Sequence, residues 1–414
     1  MTGAQTIALA DVFVALLVAL AIVAMVTRRF GVPYTAALVV VGLIVAIVRP
    51  ATGLVVTPEL VLVVLVPGLV FEAAFRLDIA HVRPTLAAAF VLAVPGVLIV
   101  AVAVAVILRA ATGLSFASAF LVGAMVSATD PVAVIATMRQ ARAPERLGTL
   151  VETESLFNDG TGIVLFAIAL QGSVGLADGV LTFVSTIVLS VGLGLLLGGV
   201  AAWIGGRIDD VNLELTLTII AAYGIYLLAD RVHQSGIIAT VVAGIVIGNY
   251  GRRAGMSARS RVAIDTVWGY IAFLFTAIVF LLVGLTVTVA GLAAAAMPIA
   301  WGLVAVLVGR AVVVYGMLGG LGRLRSRLFA GLTLPLAWSH VLFWSGLRGA
   351  IAVALALSLP VDLPDRELLQ GTVFGIVLFT LLVQGTSAGL VVRRFAAPPA
   401  VMPGTSETPD AVDS

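Results

Sequence analysis

The chain has no cysteine, no lysine, and only three histidines in 414 residues. Without cysteine there is neither a disulfide framework nor a thiolate metal site. His81, His233 and His340 lie far apart in sequence, which speaks against a histidine-bound zinc. Charge is scarce as well: 11% of the residues are charged, against about 25% in a typical soluble domain. A soluble fold so poor in charge has too little polar surface to cover itself. The net charge of +2 leaves no basic footprint for a nucleic acid. What fills the chain is apolar, with 61% hydrophobic residues. Lipid is the solvent that suits this composition.

A membrane-crossing helix takes about 20 mainly apolar residues. On that measure the chain is expected to be an all-α integral membrane protein of about thirteen spans. Their limits are 8–27, 33–49, 58–76, 84–109, 117–138, 148–170, 177–206, 213–229, 235–250, 262–290, 296–322, 331–358 and 369–394. The stretch 235–250 is short, so twelve spans with one re-entrant piece is the alternative. Residues 1–10 carry no positive charge, and Arg28 and Arg29 follow the first apolar run. That is the reverse of a cleavable signal. Residues 396–414 are proline-rich, polar and acidic, and read as a disordered tail after a transporter domain at 1–395.

The arginines gather in alternate loops. Arg28 and Arg29, Arg76 and Arg83, Arg139, Arg142 and Arg146, Arg207, Arg252 to Arg261, Arg323 to Arg327, and Arg393 and Arg394 fall on one side. Arg49, Arg109, Arg231 and Arg366 fall on the other. The positive-inside rule then predicts a multi-pass cell-membrane protein with its N-terminus outside and its C-terminus in the cytoplasm. Arg310 and Arg348 remain, both inside predicted spans.

Spans five and twelve share an irregularity. Ser127-Ala128-Thr129-Asp130-Pro131 weakens one near its middle, and Ser345-Gly346-Leu347-Arg348-Gly349 the other. Seven spans separate them, so one half of the chain would be inverted relative to the other. The expected halves are approximately 1–170 and 211–395, joined by the span at 177–206. Broken helices at matching positions of inverted repeats point to a transporter's binding site.

Pro131 deprives the carbonyl of Ser127 of its helical donor. Such backbone is tolerated at membrane depth when buried in protein or facing a water-filled cavity. Freed carbonyls, the Thr129 and Ser127 hydroxyls and the Asp130 carboxylate are hard oxygens, suited to a hard cation. A proline kink with a capping aspartate is the plainer reading of the same residues. Span six carries Glu152, Glu154, Ser155, Asn158 and Asp159 near its start. Ser155 and Asp159 stand one turn apart on one face, with Glu154 and Asn158 on the adjoining face. Too few apolar residues follow for Asp159 to stay at the surface, and a charge at helix centre costs about 2.5–3.5 kcal/mol on insertion scales. Glu72 is followed one turn later by Arg76, and the two read either as a site acid or as a snorkelling pair. Arg310 needs a carboxylate partner, and Glu154 is the candidate. Arg348 could neutralise the half-helix ends or brace the backbone around the break. The glycines at 192, 194 and 198 and at 244 and 248 read as helix-packing faces. They lack the strand context of a nucleotide site. His340 reads as pore-lining or as a packed histidine.

Four segments carry a resemblance: Phe71-Glu72-Ala-Ala-Phe75, Ser127-Ala-Thr129-Asp130-Pro131-Val-Ala-Val, Glu154-Ser155-Leu-Phe157-Asn158-Asp159-Gly160 and Gly346-Leu347-Arg348-Gly349-Ala350. Together they resemble the signature segments of NhaP-type sodium/proton antiporters, in the monovalent cation:proton antiporter superfamily. The resemblance implies thirteen spans, a homodimer, and an ion site between a core bundle and a dimerisation bundle. It implies Asp130 and Asp159 at the ion and carrying protons, with Thr129 and Ser155 completing the oxygen shell and Glu72 supporting it. It implies a structural Glu154–Arg310 pair, with Asn158, Arg348 and Pro131 in supporting positions. Asn158 stands where electrogenic members carry a second aspartate, so the resemblance implies electroneutral, one-for-one exchange. The substrates implied are H+ and Na+, with Li+ or K+ not distinguished, and no cofactor is expected. The chain is not expected to be an enzyme. A cation channel, an organic-anion carrier using Arg348 and Arg310, and an intramembrane aspartyl protease are the competing readings.

Overall fold

In lipid a backbone must satisfy its hydrogen bonds within itself, and helices do so locally. The computed structural model describes residues 17–27, 34–48, 59–172, 175–251, 256–320 and 334–396, with Val14 and Arg29. Most of span one before residue 17, the tail from 397 onward, and Arg28, Arg49, Arg252, Arg253, Arg323, Arg325 and Arg327 lie outside the described residues. Among the described residues there is no strand.

Among the described residues the longer helices, some of them interrupted, group into thirteen stretches, with short helices at Ile79–Val82 and Val289–Ala294 between them. The stretches are α1 (Leu17–Thr27), α2 (Tyr34–Val48), α3 (60–76), α4 (Leu86–Thr112), α5 (116–140), α6 (Glu145–Leu170) and α7 (Leu176–Gly205). After them come α8 (Val211–Arg231), α9 (Gly236–Gly251), α10 (Ala258–Thr286), α11 (Ala296–Leu318), α12 (336–357) and α13 (Arg366–Phe395). Six are long and apolar enough to cross a membrane by themselves. The short α9 is one of the apolar helices below that length.

Local chemistry explains several boundaries. Pro95 divides α4 into Leu86–Ala93 and Pro95–Thr112, because proline cannot donate to the preceding turn. Asp210 caps α8 by accepting from the N–H groups of Asn212 and Leu213, both at 2.9 Å. The π-helical stretches Leu60–Leu65, Ile247–Gly251, Val312–Leu318 and Thr380–Gln384 have no counterpart in the hydrophobic pattern. A wider turn keeps the same apolar residues, so sequence pattern cannot reveal it.

Small residues let helices touch. Gly42 of α2 packs backbone to backbone on Leu281 and Gly284 of α10. Gly194 and Gly198 of α7 face Ala239, Val242 and Ala243 of α9, and Gly244 and Gly248 of α9 face Phe71, Ala74 and Phe75 of α3. Gly192 meets open space. Packing of this kind, rather than water exclusion, holds helices together in lipid.

Two helices are broken near their middles. Passage α5 consists of α5a (Phe116–Met125) and α5b (Val132–Gln140), and α12 of α12a (Leu336–Trp344) and α12b (Ala350–Leu357). The breaks cross, and the Asp130 N–H donates to the Leu347 carbonyl at 2.9 Å. Beside the crossing lies a cavity of about 500 Å³. Its walls are α2, α3 and α10 on one side and α5, α6 and α12 on the other.

Candidate functional site

Unwinding α5 between Val126 and Pro131 frees several carbonyls from helical donors, and those of Ser127, Ala128 and Thr129 gain side-chain donors. Arg348 Nη1 donates to the carbonyls of Ser127 at 2.8 Å and Ala128 at 3.1 Å. Ser155 Oγ donates to the Thr129 carbonyl at 2.6 Å. Asn158 holds Thr129 twice: its Oδ1 accepts from the Thr129 N–H at 3.1 Å, and its Nδ2 donates to Thr129 Oγ1 at 2.6 Å. The Arg348 N–H itself donates to Thr380 Oγ1 at 3.1 Å. Thus the irregular backbone is fastened by α6, α12 and α13.

Arg348 thus bonds to carbonyls just past the C-terminal end of α5a, a position that fits both roles open to it. The guanidinium is 1% exposed, and its Nε and Nη2 have no hydrogen-bond partner among the described residues.

Asp130 is aimed across the crossing. Its carboxylate accepts from the N–H of Val132 at 3.1 Å and from that of Ala350. Those amides open α5b and α12b, and a helix N-terminus favours a negative charge. The approach requires glycine at 349, since a Cβ there would occupy the place of the Asp130 carboxylate. Asp159, one turn beyond Ser155, lies close enough to Asp130 for the two charges to repel. Asp159 has no hydrogen-bond partner among the described residues, and both acids line the cavity.

Glu72 lines the same cavity from α3. Its Oε1 meets Arg76 Nε at 2.8 Å, and Arg76 Nη2 donates to the Asp265 carbonyl at 2.9 Å. Thr129, Ser155, Pro131 and Glu72 therefore share a cavity with the two aspartates. Both hydroxyls are already engaged: Ser155 donates to Thr129, and Thr129 accepts from Asn158. Each hydroxyl oxygen still has lone-pair capacity.

Glu154 and Arg310 lie outside the cavity and form a bidentate ion pair. Arg310 Nη1 donates to Glu154 Oε1, and Nη2 to Oε2 at 3.0 Å. Arg310 also donates to the Leu342 carbonyl from Nε at 3.1 Å and Nη2 at 2.7 Å. The pair ties α6 to α11 and to the end of α12a. His340 packs on Phe395, with Nδ1 2.9 Å from the Tyr315 hydroxyl, and takes no part in the cavity lining. Sequence reading singled out neither the need for glycine at 349 nor the pair Arg139–Glu152, 3.1 Å apart at the cavity rim.

Crossed broken helices that carry acids into a cavity define a multi-helix membrane transport fold. Residues 13–394 match the sodium/hydrogen exchanger transmembrane family, and the chain belongs to that family. Its sequence places it among NhaP-type members. It is 38% identical over 335 residues to the Na+/H+ antiporter ApNhaP of Aphanothece halophytica, covering 79% of this chain and 63% of that one. With the Na+/H+ antiporter NhaP of Pseudomonas aeruginosa it shares 37% identity over 348 residues, covering 80% of each chain. The chain thus spans less than two thirds of the length of ApNhaP, and more of its Pseudomonas relative. The fold is similar to the solved sodium proton antiporter MjNhaP1 from Methanocaldococcus jannaschii, with a TM-score of 0.77 at 18% identity. That likeness covers 94% of this chain and 99% of the other.

Proposed function

We propose that the chain is a secondary antiporter exchanging Na+ for H+ by competition for Asp130 and Asp159. The observation that carries this reading is the pair of neighbouring carboxylates facing one cavity beside two crossed half-helices. Two close, poorly hydrated carboxylates need a counter-charge. A bound monovalent cation supplies it in one state and protons supply it in the other. Thr129, Ser155 and Glu72 add oxygen ligands, and Asn158, Arg348 and Pro131 hold the irregular backbone that presents them. Exchange follows when only a neutralised site passes between inward-open and outward-open states.

The cavity mouth carries Arg76 and Arg139, which belong to the arginine-rich side. With that side in the cytoplasm, the structure is inward-open, the N-terminus is outside and the C-terminus is cytoplasmic. The halves 1–170 and 211–395 are inverted repeats joined by α7, and the working unit is a homodimer. Exchange is one for one and electroneutral, with asparagine at 158. Relatives described as Na+/H+ antiporters favour Na+ over Li+ and K+ as the cation.

The anion-carrier reading is disfavoured because Arg310 and Arg348 are engaged by Glu154 and by backbone carbonyls. Neither arginine lines the cavity.

The test is proton flux in proteoliposomes on addition of Na+, Li+ or K+, with and without an imposed potential. Na+-driven proton movement that ignores the potential is expected. Cation flux with no proton counter-flow would sink the proposal.

A further inference from the structure

The cavity runs from the two aspartates to a rim that carries four formal charges, and only half of them belong to the site described above. Glu152, Ser155 and Asp159 follow at helical spacing along one face of α6, and all three line the cavity. Val132, Ile135, Ala136 and Arg139 follow at the same spacing along α5b and form the facing wall. One wall is therefore a line of oxygens, and the other is apolar until its last turn. At that turn Arg139 Nη2 meets Glu152 Oε1 at 3.1 Å. Glu72 lies within electrostatic reach of both.

The two rim pairs differ in how they are held. Glu72 is 12% exposed, and its partner Arg76 is anchored to the Asp265 carbonyl. Glu152 is 35% exposed, and Arg139, paired with it, is 75% exposed. Such a wet pair contributes little to stability, of order 0–1 kcal/mol. Its place at this rim puts it beside whatever enters the cavity. A cation leaving water for Asp159 meets Glu152 first, two turns of α6 before Asp159.

We propose that Glu152 is the first carboxylate met by the monovalent cation on the arginine-rich side, and that Arg139 competes with that cation for it. Arg139 thereby sets the apparent cation affinity from this side without touching the aspartates. The inference rests on the exchange reading above. It predicts opposite effects from the two partners of one ion pair, which a merely structural pair would not give.

The experiment measures the Na+ concentration dependence of proton release in everted membrane vesicles, where added Na+ reaches the cytoplasmic face. Wild type, Glu152→Gln, Arg139→Gln, the double variant and Asp159→Asn are compared. Glu152→Gln should raise KM for Na+ by about two- to five-fold, and Arg139→Gln should lower it comparably. That is what one unit charge does across roughly 8 Å of wet vestibule. The double variant should return close to wild type, and choline chloride should shrink every shift by screening. Maximal rates should move less than KM. Shifts of the same sign in both single variants, or no shift in either, would overturn the proposal. If wild type and Asp159→Asn both fail to release protons on Na+ addition, the exchange reading itself falls. If wild type exchanges and Asp159→Asn does not, while KM stays fixed at positions 139 and 152, only the role of Glu152 falls.

Discussion

Two carboxylates five positions apart on α6 meet opposite fates. Glu154 is 2% exposed and is clasped by Arg310, which also binds the Leu342 carbonyl. Asp159 borders the cavity with Asp130 as its charged neighbour. A helix turn of about 100° per residue puts positions 154 and 159 on different faces. The difference teaches where a membrane protein can keep a movable charge. A carboxylate matched by a guanidinium is neutralised permanently and holds helices together. Under the proposed exchange, one matched only by what the cavity brings is the one whose counter-charge can change.

The sharpest break of this comparison is Asp159→Asn. It removes the exchangeable charge and leaves the clasp intact. Na+-driven proton flux in proteoliposomes should fall at least about 100-fold, more than most single hydrogen-bond losses produce. Thermal unfolding should stay near wild type.

The mirror-image change, Arg310→Met, strands Glu154 as an unpaired buried charge. Loss of folding free energy of about 3–5 kcal/mol is expected, and adding Glu154→Leu should recover most of it. Thermal melts of purified protein in detergent read both. Equal melting of Arg310→Met and wild type would erase the distinction between the two acids.

Gly349→Ala tests the cavity side from a neighbour. The new methyl group displaces the Asp130 carboxylate from the N-terminus of α12b. Exchange should drop about ten-fold, one lost charge-assisted hydrogen bond being worth roughly 1.5–3 kcal/mol. Retention of full activity would show that Asp130 works without that amide.

Ser155→Ala is the mildest probe. It removes the donor to the Thr129 carbonyl. A change in KM for Na+ of about two- to ten-fold is expected from a hydrogen bond worth 0.5–1.5 kcal/mol. Measured alongside Asp159→Asn, it separates the cost of loosening the cradle from the cost of removing the charge.

Much of this arrangement is legible in the sequence, for a definite reason. Apolar runs of spanning length and arginine clusters between them mark the helices, and Pro131 and the glycines at 346 and 349 mark the breaks. Acids at 130 and 159 are conspicuous because lipid penalises them. The mutual placement of distant residues is another matter. Arg348 bonds to carbonyls 221 and 220 positions away, and a carbonyl is present at every position, so no residue type signals it. The same holds for the crossing bond between Asp130 and Leu347. The two-point grip of Asn158 on Thr129 hides for a related reason, because an asparagine in a helix can point its amide anywhere. The rim pair Arg139–Glu152 looks in sequence like ordinary loop-side charge. Only the cavity gives it a position.

The crossing also predicts which positions can drift in evolution. Ser127, Ala128 and Leu347 contribute main-chain oxygens to the fastening. The side chains of Ala128 and Leu347 answer only to local volume, while Ser127 Oγ also donates to the Ala124 carbonyl at 2.7 Å. Arg348, Asn158 and Gly349 contribute a fork of donors, a paired donor and acceptor, and the lack of a side chain. No other amino acid supplies any of these in the same space. Within one short break, neighbouring positions should therefore tolerate change very unequally. A saturation library across residues 127–131 and 345–349 should return a comb of permissive and forbidden sites instead of a uniformly intolerant block.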